Sequence, residues 1–121
     1  MGDIPSTTRW PINDVAVSLN GARTAAGTVS GSVFIVNNQG VVIKQISHPE
    51  TLITSLAINS SGSKLVAGTA DGRVFAFNSQ GTMAWEVFIG GSVTSVAVNT
   101  SGSKIAASSG NTVYLLSGDG P

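Results

Sequence analysis

The chain has one histidine, His48, in the segment SHPET, and Glu50 is the only acidic residue close to it in sequence. A general base or a metal site needs converging partners, which two loop residues alone do not make. No Ser-His-Asp order, paired carboxylates or zinc-ligand spacing can be assembled from the remaining residues, and cysteine is absent. Gly90-Gly91 is followed by neither a helical pattern nor a Lys-Ser/Thr pair, so it reads as a turn and not as a phosphate loop. The numerous serines cluster in turn segments, where a hydroxyl bonds the local backbone. The residues therefore predict a protein that is not an enzyme and binds no metal or organic cofactor.

Charge excludes further classes. Six Lys and Arg balance six Asp and Glu, and the basic residues stand singly along the chain. A nucleic-acid partner calls for a clustered positive field, which this spread does not supply. No apolar run approaches the roughly 18 residues that span a bilayer, so no membrane association is expected and the chain is read as soluble. No targeting segment is visible in MGDIPSTTRW, and the sequence assigns no compartment.

What positions the polar residues is a repeat. Ile53 to Gly68 reads ITSLAINSSGSKLVAG and Val93 to Ser108 reads VTSVAVNTSGSKIAAS, identical at 9 of 16 positions with an offset of 40. Asp14 to Gly40 matches Ser55 to Gly81 at 11 of 27 positions with an offset of 41. A fixed period of this length marks a repeat architecture whose single units cannot bury their own apolar faces.

Each repeat divides into short β-type runs punctuated by Gly, Asn and Ser. In the second copy the runs are Ile53–Asn59, Lys64–Ala70, Arg73–Asn78 and Thr82–Ile89. The Asp71-Gly72 pair between the second and third is a strong hairpin signal. The third strands, VFIV (33–36), VFAF (74–77) and VYLL (113–116), are apolar on both faces and demand cover on both sides. The first strands alternate large residues with Ala16, Ala57 and Ala97, which suits sheets stacked face to face. The predicted fold is all-β, with three four-stranded antiparallel β-propeller blades. Blade 1 covers 12–48, blade 2 covers 52–90, and blade 3 covers 92–120 without a fourth strand of its own.

The stretch TSLAINSSGSKLVAGTADGRVFAF resembles WD40-like propeller repeats in its order of strand, polar-Gly turn, Lys, strand, Asp-Gly and strand. The stretch GRVFAFNSQGTMAWEV is similar to quinoprotein-like blades, in which a Gly turn precedes a Trp on the outer strand. The Gly-His and Trp-Asp dipeptides of WD40 repeats are missing, so that family's hydrogen-bond tetrad is not carried over. Lys44 stands where the second copy has Trp85, and the third copy stops before that position, so the resemblance implies no quinone site.

These readings predict a scaffold or interaction module. The expected rim binding surface is Ser47, His48, Glu50, Asp71, Arg73 and Asn111, with a protein or glycan ligand; Asp71 doubles as a turn former. A carbohydrate-binding propeller, with Trp10 and Trp85 as stacking platforms, is one alternative, although an outer-strand Trp ordinarily packs on its own blade. A fragment of a larger propeller protein or quinoprotein-like enzyme is another. Residues 4–10 are expected to supply the missing outer strand, so that Ser6, Thr7, Thr8, Arg9 and Trp10 pair with Val113, Tyr114, Leu115 and Leu116. Three blades leave two apolar faces open, and the expected partner is the chain itself. A homodimer would give a six-bladed ring, whereas a homotrimer would give nine blades and exceed the usual range of four to eight.

Overall fold

The structure, a computed structural model, describes residues 11–47 and 51–120. Within them the chain forms eleven strands and no helix. The first sheet is β1 (Ile12–Val17), β2 (Arg23–Thr28), β3 (Ser32–Asn37) and β4 (Val42–Ser47) in sequential order. The second is β5 (Ile53–Ile58), β6 (Lys64–Thr69), β7 (Arg73–Asn78) and β8 (Met83–Phe88). The third holds β9 (Ser95–Val98), β10 (Lys104–Ser109) and β11 (Thr112–Ser117). Every pairing is antiparallel between sequence neighbours, which is the up-and-down order of a propeller blade.

Turn chemistry fixes the registers. Asn59 Oδ1 accepts from the amide of Lys64 at 2.9 Å, and Asn99 Oδ1 accepts from Lys104 at 3.0 Å, closing the turns into β6 and β10. In the first sheet Ser18 replaces this Asn, and its hydroxyl accepts from the Arg23 amide at 3.1 Å. Asn37 and Asn78 close the turns into β4 and β8 in the same way, each accepting two amides. Between β6 and β7 the backbone turns through Gly72 at φ 93°, a conformation that side chains with a Cβ rarely adopt. Thr69, fully buried, accepts there from the Arg73 amide at 3.0 Å.

The sheets stack through two apolar layers. Between the first and second lie Ala25, Val33 and Ile35 against Ile53, Leu56, Leu65, Ala67, Phe75 and Phe77. Between the second and third lie Val66 and Val74 against Val93, Val96, Ile105 and Ala107, with Trp85 and Leu116 at the margin. Strand β7 is therefore buried on both faces, and in β3 Val33 and Ile35 face the second sheet while Phe34 and Val36 on the other face are buried too. Strand β11 has the same apolar character but alternates exposed and half-buried, because only one face of the third sheet has a neighbour among the described residues.

Close approach of the sheets depends on two glycines. A Cβ on Gly27 would lie 2.5 Å from Ile53 Cγ2, and one on Gly68 would lie 2.4 Å from Val93 Cγ1. The first residue of each following blade thus seats on a glycine of the blade before it. Gly68→Ala is expected to lower stability by about 1–3 kcal/mol through overpacking. Adding Val93→Ala should relieve that strain, leaving the double variant no less stable than Val93→Ala alone. Urea denaturation of the three variants measures the coupling, and independent, additive losses would contradict the seating.

Candidate functional site

The β2–β3 and β6–β7 turns, with Ser47 at the end of β4, lie on one rim. Asp71 accepts a hydrogen bond from the Thr69 hydroxyl, and its amide donates to Thr51 Oγ1 at 3.2 Å. Its second carboxylate oxygen lies 3.4 Å from Arg73 Nη1. Arg73 Nε lies 3.3 Å from Glu86 Oε2, and the guanidinium stands 5.3 Å from the centre of the Phe88 ring. Asp71 and Arg73 are therefore brought together, and Glu86 and Phe88 join them from β8. Neither of those two stands out in the sequence: the signal is only that the end of β8 must lie opposite the start of β7, Phe88 being paired with Arg73.

Ser47 and Asn111 are not gathered into this cluster. Ser47 Oγ lies 3.3 Å from Ser32 Oγ on the first sheet, and Asn111 is exposed in the turn between β10 and β11 on the third. His48, Glu50 and residues 4–10, including Ser6, Thr7, Thr8, Arg9 and Trp10, lie outside the described residues. Val113, Tyr114, Leu115 and Leu116 sit on β11, the edge strand of the third sheet. No group of three potential metal ligands occurs among the described residues, and no described helix is long and apolar enough to cross a membrane.

Among the described rim residues the Arg73 cluster satisfies its own charges. The Arg73 cation lies between two carboxylates and over one aromatic face, with its side chain 40% exposed. An arrangement of this kind presents polar groups and one ring to a partner but aligns no nucleophile with a base.

A second set of polar contacts runs between sheets and repeats along the chain. Asp14 Oδ2 accepts from the Leu56 amide at 2.8 Å, and Ser55 Oγ, at the equivalent place one repeat later, accepts from the Val96 amide at 3.1 Å. Arg23 Nε donates to the Ser79 carbonyl at 2.8 Å, and Lys64 Nζ, again its equivalent, donates to the Gly118 carbonyl. Trp85 Nε1 donates to the same carbonyl at 3.0 Å. The ring is half-buried at the margin of the layer shared by the second and third sheets, and its N–H is spent on the turn carrying Gly118. It is not a free platform for a sugar ring.

The sequence profile of the β-propeller proteins matches residues 22–115, and the chain belongs to that family. No curated protein matches it. Among solved structures, the β-propeller domain of Cps50 (Swd1) from Myceliophthora thermophila is similar with a TM-score of 0.80 and 22% identity over 94% of this chain and 38% of that one. The WD40 repeats of RRP9 give a TM-score of 0.81 at 13% identity, over 91% of this chain and 36% of theirs. Chaetomium thermophilum Sqt1, solved bound to the N-terminus of the ribosomal protein L10, gives 0.78 at 22% identity, over 90% and 32%. The chain thus spans under two fifths of the length of these propellers.

Trp85→Phe keeps a six-membered aromatic ring but removes the donor to Gly118 together with the five-membered half of the indole. It is expected to lower stability by at least about 0.5–1.5 kcal/mol, the usual net worth of one hydrogen bond, with the lost packing added to it. Chemical denaturation checks this, and unchanged stability would show that the indole N–H contributes nothing to holding the third blade.

Proposed function

We propose that the protein is a non-enzymatic scaffold that completes its propeller by pairing with a second copy and offers its loop rim to a protein partner. The observation that carries the self-association is the exposure of residues whose repeat equivalents are buried. Val113 and Leu115 are 75% and 70% exposed, whereas Val74 and Ala76 at the same places in the second blade are fully buried. On the opposite end of the stack Val15 is 62% exposed, against 6% for its equivalent Leu56.

At about 25 cal/mol per Å² of apolar surface, covering even a few hundred Å² on each open face contributes several kcal/mol. Apolar patches of that size on a soluble domain mark association sites. Two copies related by a two-fold axis along the channel place the third blade of each against the first blade of the other, giving six blades. For the rim, Arg73, Asp71, Glu86 and Phe88 suit a polar peptide segment, and a propeller of the same fold is seen holding the N-terminus of another protein.

Light scattering at micromolar concentration is expected to give twice the chain mass of 12.2 kDa. A stable monomer under those conditions would overturn the self-association.

A further inference from the structure

We propose that the rim opposite the Asp71–Arg73 cluster is a second interaction surface, which takes an acidic segment of a partner protein, with Arg23 and Lys44 at its centre. The inference goes beyond the function proposed above and does not depend on self-association, because Arg23 and Lys44 meet within one copy.

The repeat gathers what the sequence scatters. Arg23, Lys64 and Lys104 stand 41 and 40 residues apart, and each is the first residue of a second strand, β2, β6 and β10. Strands of an antiparallel meander alternate in direction, so these three starts share one rim with the β3–β4 and β7–β8 turns. The equivalent turns touch in succession: the Asn20 amide donates to the Ser60 carbonyl at 3.1 Å, and the Ser60 amide to the Thr100 carbonyl at 3.4 Å. Stacked sheets lie roughly 10 Å apart, so three cations distant in sequence form a row with about that spacing.

A fourth cation closes on the row. Arg23 Nε donates to the Ser79 carbonyl, in the turn between β7 and β8, at 2.8 Å. Lys44 packs on that same turn, since a Cβ on Gly81 would lie 2.5 Å from Lys44 Cγ. Two basic side chains of the first blade thus converge on Ser79-Gln80-Gly81 of the second. The hydrogen bonds of Arg23 go to neutral carbonyls, those of Ser79 and Ala22, and the ion pairs among the described residues all involve Arg73. The two charges are therefore not compensated within the chain. In the next notch Trp85 holds the place of Lys44 and Asp119 stands in the turn beside it, so the positive charge is greatest between the first and second blades.

A chain without net charge is polarised by this arrangement. Among the described residues, one rim carries Arg23, Lys44, Lys64 and Lys104 against Asp119, while Asp71 and Glu86 lie with Arg73 on the other. Charge complementarity selects an anionic partner for the basic rim. Proteins that bind single-stranded nucleic acid add aromatic stacking platforms to such a groove. Trp85, the ring that borders this rim, is half-buried with its N–H spent on Gly118. Leu19 is instead 86% exposed where the other repeats have Ser60 and Thr100, and it offers an apolar foothold to a protein segment.

The test is fluorescence anisotropy of labelled hexaglutamate at low salt, with labelled oligothymidylate in parallel. Hexaglutamate is expected to bind, and to bind more weakly as salt screens the charges. Gln80→Lys places a further cation on the exposed turn that Arg23 and Lys44 share and should tighten binding about two- to fivefold, the range of an exposed ion pair. Such a gain does not arise from misfolding. Lys44→Glu exchanges attraction for repulsion and should weaken binding about fivefold or more with unchanged circular dichroism. No binding of hexaglutamate at low salt, or the same affinity in both variants, overturns the proposal. Oligothymidylate bound in place of hexaglutamate, with the same dependence on Lys44, overturns an acidic protein segment as the partner.

Discussion

A β-sheet with apolar residues on both faces is stable only when both faces are covered, and every other feature of this chain follows from that constraint. Strand β7 meets it by burial between the first and third sheets. The cover is close because Gly27 and Gly68 let Ile53 and Val93 approach within distances that a Cβ would forbid. Close stacking in turn leaves side-chain polar atoms near backbone groups of the next sheet, and Asp14, Ser55, Arg23 and Lys64 satisfy those groups. The polar contacts thus set the register of a stack that apolar burial drives, in keeping with their modest net energies.

The fold was legible because its signals are local and repeated. Asp71-Gly72 and the Asn-initiated turns announce the hairpins, and the strands of the second copy lie within a residue of where alternation and glycine punctuation place them. What sequence reasoning missed depends on distance across the stack. Trp85 belongs to β8, yet its indole is spent on Gly118, 33 residues away, and no period-two pattern reveals which blade a ring leans on. Glu86 and Phe88 were missed for a related reason: they join Arg73 through cross-strand pairing at the rim, where composition carries no signal.

One signal for the contacts between blades was present in the sequence. A basic residue recurs at 23, 64 and 104, and a polar acceptor at 14, 55 and 95. Their purpose becomes visible only when the structure shows that each acts on the next blade and not on its own. The same comparison explains why β11, with the sequence of a strand buried on both faces, alternates in exposure: its sequence is written for a neighbour, and one face has none among the described residues.

The central claim is that the open face of the first blade is covered as the second and third blades cover theirs. Amide hydrogen exchange at Val15 tests it most directly, because the equivalent amides of Leu56 and Val96 already donate to the preceding blade. The account predicts that at concentrations where the protein is assembled the Val15 amide is protected comparably to those two, and that its protection alone is lost on dilution. A Val15 amide that exchanges freely at every concentration while Leu56 and Val96 stay protected would contradict it.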